Sequence, residues 1–158
     1  MKTISLSLLI LLLLSCNSAN TNENEAQQTL KEGVTDYSVA LNFINEYATE
    51  SNNAILNHDS LWSPMNWINN NPSVSSNFKS KYNEVIKEEL DADPIFDAQD
   101  FPENGFEILS IDSVNKLVTV KGIDWEMEVT LKVVNIGNKT LVDGSGLINV
   151  LENKRSKR

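Results

Sequence analysis

The stretch Asp93-Pro94-Ile95-Phe96-Asp97-Ala98-Gln99-Asp100 decides how this chain is read. Before it, apolar residues recur at helical spacing. After it, they recur mostly at strand spacing. Pro94 disfavours helical geometry in the residue before it, so a helix must end near Asp93. Asp91 and Asp93 would then sit at the negative end of a helix dipole, which is unfavourable by about 1 kcal/mol or less each. A cation could offset that through Asp91, Asp93, Asp97 and Asp100, because calcium takes about six to eight oxygen ligands. The spacing does not match an EF-hand, however, and no glycine marks the sharp turn, so no metal or cofactor is assigned. The simpler reading is local structure, in which Asp side chains accept backbone N–H bonds in turns. Asp93, Asp97, Gln99 and Asp100 form the hinge motif. Gln99 and Asp100 are expected to brace the helices against the sheet. A buried Gln99 would need partners for both ends of its amide.

Upstream, Tyr37, Ala40, Leu41, Ile44, Tyr47 and Ala48 make one apolar stripe of an amphipathic helix. Thr35 or Asp36 can cap it, and Asn52-Asn53 is expected to end it. Phe43 lies off the stripe and is expected to face a second element. Residues 54–74 read as irregular, with Trp62 and Trp67 as apolar islands among Asn, Ser and Pro. A second stripe runs through Phe78, Tyr82, Val85, Ile86 and Leu90, capped by Ser75 or Ser76.

Downstream, residues 105–111 and 116–121 read as strands with a turn between them. Trp125, Met127, Val129, Leu131 and Val133 then alternate with Glu126, Glu128, Thr130 and Lys132. That period of two predicts a strand with one buried and one wet face. Ile136-Gly137-Asn138 turns the chain into residues 139–142. Asp143-Gly144-Ser145-Gly146 interrupts this strand, which is expected to resume over 147–151, with the glycines marking a bulge. Gly-Ser-Gly is no phosphate loop, since it lacks the lysine and the following helix. The fold class is therefore α+β: two main N-terminal helices packed on a curved antiparallel sheet of about four strands.

The first residues carry an address. Lys2 gives a minimal positive start, and residues 4–14 are apolar except for Ser5 and Ser7. A membrane-spanning helix needs about 20 apolar residues, so this run reads as a signal-peptide core. Leu13-Leu14-Ser15-Cys16 then resembles a bacterial lipobox. That resemblance implies cleavage before Cys16 and acylation, including palmitate-type chains, at Cys16. Two or three acyl chains hold a protein stably on a membrane. Residues 1–15 are thus a signal peptide and 16–36 a polar tether with little to bury. Residues 37–151 are the globular domain, and 152–158 a basic tail. Asn17, rather than Asp, follows the cysteine. That favours the outer membrane of a bacterial cell envelope, facing the periplasm.

Composition limits the partners. The chain of 158 residues carries 13 Lys+Arg against 22 Asp+Glu. Without residues 1–15 there remain 12 basic and 22 acidic side chains, a net charge of −10. Such a surface repels phosphate backbones, so nucleic acid is not an expected partner. Cys16 is the sole cysteine, which excludes an intramolecular disulfide. His58, the sole histidine, reads as a surface loop residue without a dyad partner.

The hinge octapeptide, after two helices and before a β-meander, resembles a bacterial family of uncharacterised envelope lipoproteins and secreted proteins. The fold of that family is similar to the nuclear transport factor two-like cone, in which a curved sheet wraps around helices. The resemblance implies no established activity. Enzymes of the wider superfamily place His and Asp inside the cone, and His58 has no clear inward partner. The expected function is a non-catalytic binding module for a small ligand or peptide, with a cavity lined by some of Tyr47, Trp62, Trp67, Trp125 and Met127. The alternatives are a protein–protein role, such as an immunity-type inhibitor or an accessory subunit of an envelope complex, and a hydrolase, ranked last.

Overall fold

The computed structural model describes residues 34–156. The signal segment, Cys16, the tether up to residue 33, and Lys157 and Arg158 lie outside the described residues.

Helix α1, Ser38–Leu56, has Tyr37 rather than Thr35 or Asp36 at its N-cap, with no side-chain cap bond, and Asp36 Oδ1 accepts the Ser38 amide from one residue further out at 3.0 Å. Its stripe of Ala40, Ile44, Tyr47 and Ala48 is buried. Phe43 does face other elements, with its ring 5.7 Å from both Trp67 and Phe78. Asn52-Asn53 does not end the helix. Neither side chain prevents three further residues from continuing it, and the Asn57 side chain then bonds back to the Asn53 carbonyl at 2.8 Å. The segment expected to be irregular contains a helix, α2, Pro64–Asn70. Ser63 Oγ accepts the Asn66 amide at 3.2 Å, and proline occupies the first helical position, where its missing N–H is harmless. Helix α3, Ser76–Val85, has the expected Ser75 cap, with Ser75 Oγ accepting the Phe78 amide at 3.0 Å.

Helix α3 ends well before Asp93. The Lys87 and Glu88 amides reach the Glu84 and Val85 carbonyls three residues back, which tightens and closes the helix. Asp91 and Asp93 are therefore off the helix end, and the dipole penalty expected for them does not arise.

Four strands follow: β1, Phe106–Asp112; β2, Leu117–Gly122; β3, Glu128–Ile136; and β4, Lys139–Ser145. They form one antiparallel meander in the order β1-β2-β3-β4. The third strand starts at Glu128, so Trp125 lies in the connection before it, 45% exposed. Val118, Val120, Val129, Leu131, Val133 and Val142 are buried in one core with Phe43, Ile44, Tyr47 and Phe78. Helix α1 lies against β1, β3 and β4, and α3 against β4. The class is α+β, and among the described residues three helices precede the sheet.

The end of β4 departs from expectation. Lys132 pairs with Gly144 but Val133 with Val142, so the extra residue is Asp143 rather than a glycine. Its carboxylate accepts Ser75 Oγ at 2.6 Å, Asn77 Nδ2 at 3.2 Å and Lys132 Nζ at 2.9 Å. The bulge thus pins the start of α3 to β4. The strand does not resume after Gly146. Ser145 and Ile148 exchange backbone bonds of 2.9 and 2.8 Å, which turns the chain off the sheet. Gly146 has φ +53, and a Cβ there would stand 2.5 Å from the Pro94 carbonyl oxygen and 2.6 Å from that of Ile95.

Gly146→Ala is expected to destabilise by at least about 2 kcal/mol, from left-handed backbone and close contact together. Gly137→Ala, at φ +59 with nothing within 4 Å of the added Cβ, should lose about 1 kcal/mol. Urea unfolding measures both, and equal losses would contradict the close approach at Gly146.

Candidate functional site

Asp93 organises the hinge. Its amide donates to the Ala98 carbonyl at 2.9 Å, closing a compact loop. Within that loop Asp93 Oδ1 accepts the amides of Ile95 at 2.7 Å and Phe96 at 3.2 Å. Its Oδ2 accepts the Tyr47 hydroxyl at 2.7 Å. A carboxylate offers about four acceptor sites, and three are occupied here. Phe96 then packs inward, with ring centroids 5.3 Å from Tyr47, 4.5 Å from Phe101 and 5.9 Å from Phe106. Asp97 follows at φ +55, a region that Asp tolerates better than most residues.

Gln99 and Asp100 are exposed, and Asp100 Oδ1 accepts the Phe101 amide at 3.0 Å. They do not brace the helices against the sheet. Asp93 and Phe96 do this, because their groups point inward while the left-handed turn at Asp97 carries the next residues out. The other side of the hinge is held by β4. Leu147 N–H donates to the Pro94 carbonyl at 2.8 Å, and Ser145 Oγ to that of Ile95 at 2.8 Å.

Beside this joint lies a cavity of about 280 Å³. Phe96, Ala98, Met127 and Val129 supply apolar wall, with Trp125 at its edge. Asp97, Glu126, Glu128 and Arg155 supply charge. The volume is just below the roughly 300–1,000 Å³ of small-ligand pockets.

The five expected pocket residues do not gather at one place. Trp125 and Met127 line the hinge cavity. Trp62 and Trp67 line a wider, more open cleft of about 490 Å³ beside α2, with Glu46, Asp59, Asn66 and Asn70. Tyr47 lines neither. It is fully buried, with its ring 5.4 Å from Trp67 and 5.3 Å from Phe96. Sequence reasoning missed Arg155 and Ser156, which the C-terminal segment brings to the cavity through a 2.9 Å contact between Ser156 Oγ and Thr130 Oγ1. Nothing local in the sequence signals that approach.

His58 is exposed, and Asp59 Oδ1 accepts the Leu61 amide at 2.9 Å. Among the described residues, no group of three or more His, Cys, Asp or Glu is placed to hold a metal ion. None of the described helices is long and apolar enough to cross a membrane.

Asp93 and Asp143 are perturbed in opposite directions. Burial pushes Asp93 above its ordinary range, against the pull of the bonds from Tyr47, Ile95 and Phe96. Tyr82 is pushed up to about 12, first by burial and then by the negative charge of Asp93. Tyr47 is raised by burial and then by Asp93. At Asp143 burial also acts upward, but Lys132, Ser75 and Asn77 outweigh it and hold the carboxyl below its ordinary range.

Comparison with protein-family models, with curated proteins and with solved structures finds no match.

Folded Asp93 holds its proton to higher pH than the unfolded chain does. Its contribution is therefore complete below about pH 4, the unfolded value, and is lost as pH rises through the folded value. Asp93→Asn should thus gain stability relative to wild type between pH 4.5 and 7.5. Urea unfolding at the two pH values measures the difference. A constant difference would mean that Asp93 titrates as in the unfolded chain.

Proposed function

We propose that this chain is a bacterial envelope lipoprotein, anchored through acyl chains on Cys16, whose domain is a non-catalytic binding module. Its ligand occupies the cavity beside the hinge. The observation that carries the reading is that cavity: apolar at its walls, charged at its rim, and more enclosed than the cleft beside α2. Specific small-ligand sites have this make-up. The lipobox-like Leu13-Leu14-Ser15-Cys16 and the likeness of the hinge octapeptide to envelope lipoproteins support the outer-membrane, periplasm-facing address. The cone-like likeness of the fold belongs to the same proposal.

One observation favours a protein partner as the second reading. Strand β1 is an edge strand, and Ile108, Leu109 and Ile111 on it are exposed, as is Val114 in the turn beyond. Exposed aliphatic edges invite pairing with another chain. An accessory subunit or an immunity-type inhibitor would use such an edge. A hydrolase has the least support, since Asp93 is enclosed by its donors and His58 stands alone on the surface.

A thermal-shift screen with small amphipathic compounds, on wild type and Trp125→Ala, tests the module. A ligand at 100 times its Kd adds about 2.7 kcal/mol, which raises Tm by several degrees. The shift should shrink in Trp125→Ala, and a panel without any shift would contradict the reading. Palmitate labelling of cells should mark wild type and leave Cys16→Ser unmarked; label on both would contradict the anchor.

A further inference from the structure

The backbone of β3 shows which way each residue turns its polar groups. Gly122 N–H donates to the Met127 carbonyl at 2.8 Å, and Val133 N–H donates to the Lys116 carbonyl at 2.9 Å. The Met127 carbonyl and the odd-numbered residues from 129 to 133 therefore bond toward β2, while the Met127 amide donates to the Trp125 carbonyl at 2.8 Å. Glu128, Thr130 and Lys132 must turn theirs to the other side, toward β4. Lys132 faces Gly144, and the Thr130 carbonyl accepts Gly146 N–H at 3.3 Å. Among the described residues none pairs with Glu128 at the next position on this side, because β4 has already turned away. Leu147 N–H is committed to Pro94, and Ile148 closes back on Ser145. The backbone N–H and C=O of Glu128 thus face the hinge cavity, which Glu128 itself lines.

We propose that the hinge cavity binds an extended peptide that adds to β3 at Glu128 as a short antiparallel strand. This rests on the cavity being the ligand site and names the class of ligand. One peptide residue opposite Glu128 would exchange both backbone bonds with it, as in a hydrogen-bonded antiparallel pair. Strand alternation then sets the side chains. The central residue shares a face with Glu128, and its two neighbours point to the face of Met127 and Val129, beside Phe96. Two flanking aliphatic residues suit that apolar wall. The central residue stands directly opposite Glu128, with Glu126 also lining the cavity, so a basic side chain suits that position. The favoured pattern is aliphatic, basic, aliphatic.

The test uses acetyl-Val-Lys-Val-amide titrated into the full chain, followed by calorimetry and by the amide resonances of the protein. A second peptide carries an N-methyl group on the lysine amide, which removes the donor to the Glu128 carbonyl. A third replaces lysine with glutamate. The parent peptide should bind, N-methylation should weaken it at least tenfold, and glutamate should weaken it severalfold. The Glu128 amide should shift and exchange more slowly with solvent. Equal binding of the parent and N-methylated peptides, or an unmoved Glu128 amide, would overturn the strand-pairing proposal. If no peptide binds but phenethylamine shifts the resonances of Met127 and Val129, the peptide proposal falls and the cavity reading stands. If neither probe binds, both fall.

Discussion

A half-buried carboxylate with three donors around it holds the helical half of this protein to its sheet. Asp93 comes from the connection, Tyr47 from α1, and the amides of Ile95 and Phe96 from the loop that Asp93 itself closes. Burying a charged carboxylate is costly unless hydrogen bonds replace its water, and removing one partner of such a group costs about 1–3 kcal/mol. That asymmetry gives the joint one well-defined geometry. Once the Ile95 and Phe96 amides point at Asp93, the carbonyls of Pro94 and Ile95 turn the other way. They meet Leu147 and Ser145 at the end of β4.

The geometry of the sheet's last strand follows from this contact. Gly146 comes too close to the Pro94 and Ile95 carbonyls for any side chain to fit. The chain turns at Ser145 rather than running on beside β3. Ladder hydrogen bonds that β4 could have made with Glu128 are replaced by bonds to the hinge. The uncovered end of β3, the inward Phe96 and the connection carrying Trp125 and Met127 then enclose the cavity. The joint and the cavity have one cause. The second polar cluster, around Asp143, fixes α3 to the same strand.

Much of this architecture is readable in the residues. Val129, Leu131 and Val133 report one buried face of β3, although Thr130, expected on the wet face, is buried too, and the Ser75 cap and the Phe78, Tyr82, Val85 stripe report α3. The hinge is recognisable as a joint because Pro94 forbids continuation. Its division of labour is not. Whether Asp93 or Gln99 turns inward depends on the left-handed residue at Asp97, which spacing does not reveal. Helix α2 was signalled by Ser63-Pro64, a cap followed by a first-position proline, but at seven residues it has too short a stripe to be distinguished from a loop. Trp62 and Trp67 separate from Trp125 and Met127 because α2 and the β2–β3 connection border different clefts. Where β4 stops is a tertiary fact, set by a contact across about fifty residues of sequence.

Hydrogen exchange on Ser145→Ala tests most directly whether the hinge and the β4 turn are one unit. This substitution removes the hydroxyl that donates to the Ile95 carbonyl and leaves the ladder between β2 and β3 untouched. The account predicts that the Ile95, Phe96 and Leu147 amides lose protection together, while those of Val129 and Val133 keep theirs. Loss at Leu147 alone, or an equal loss across the whole sheet, would contradict it.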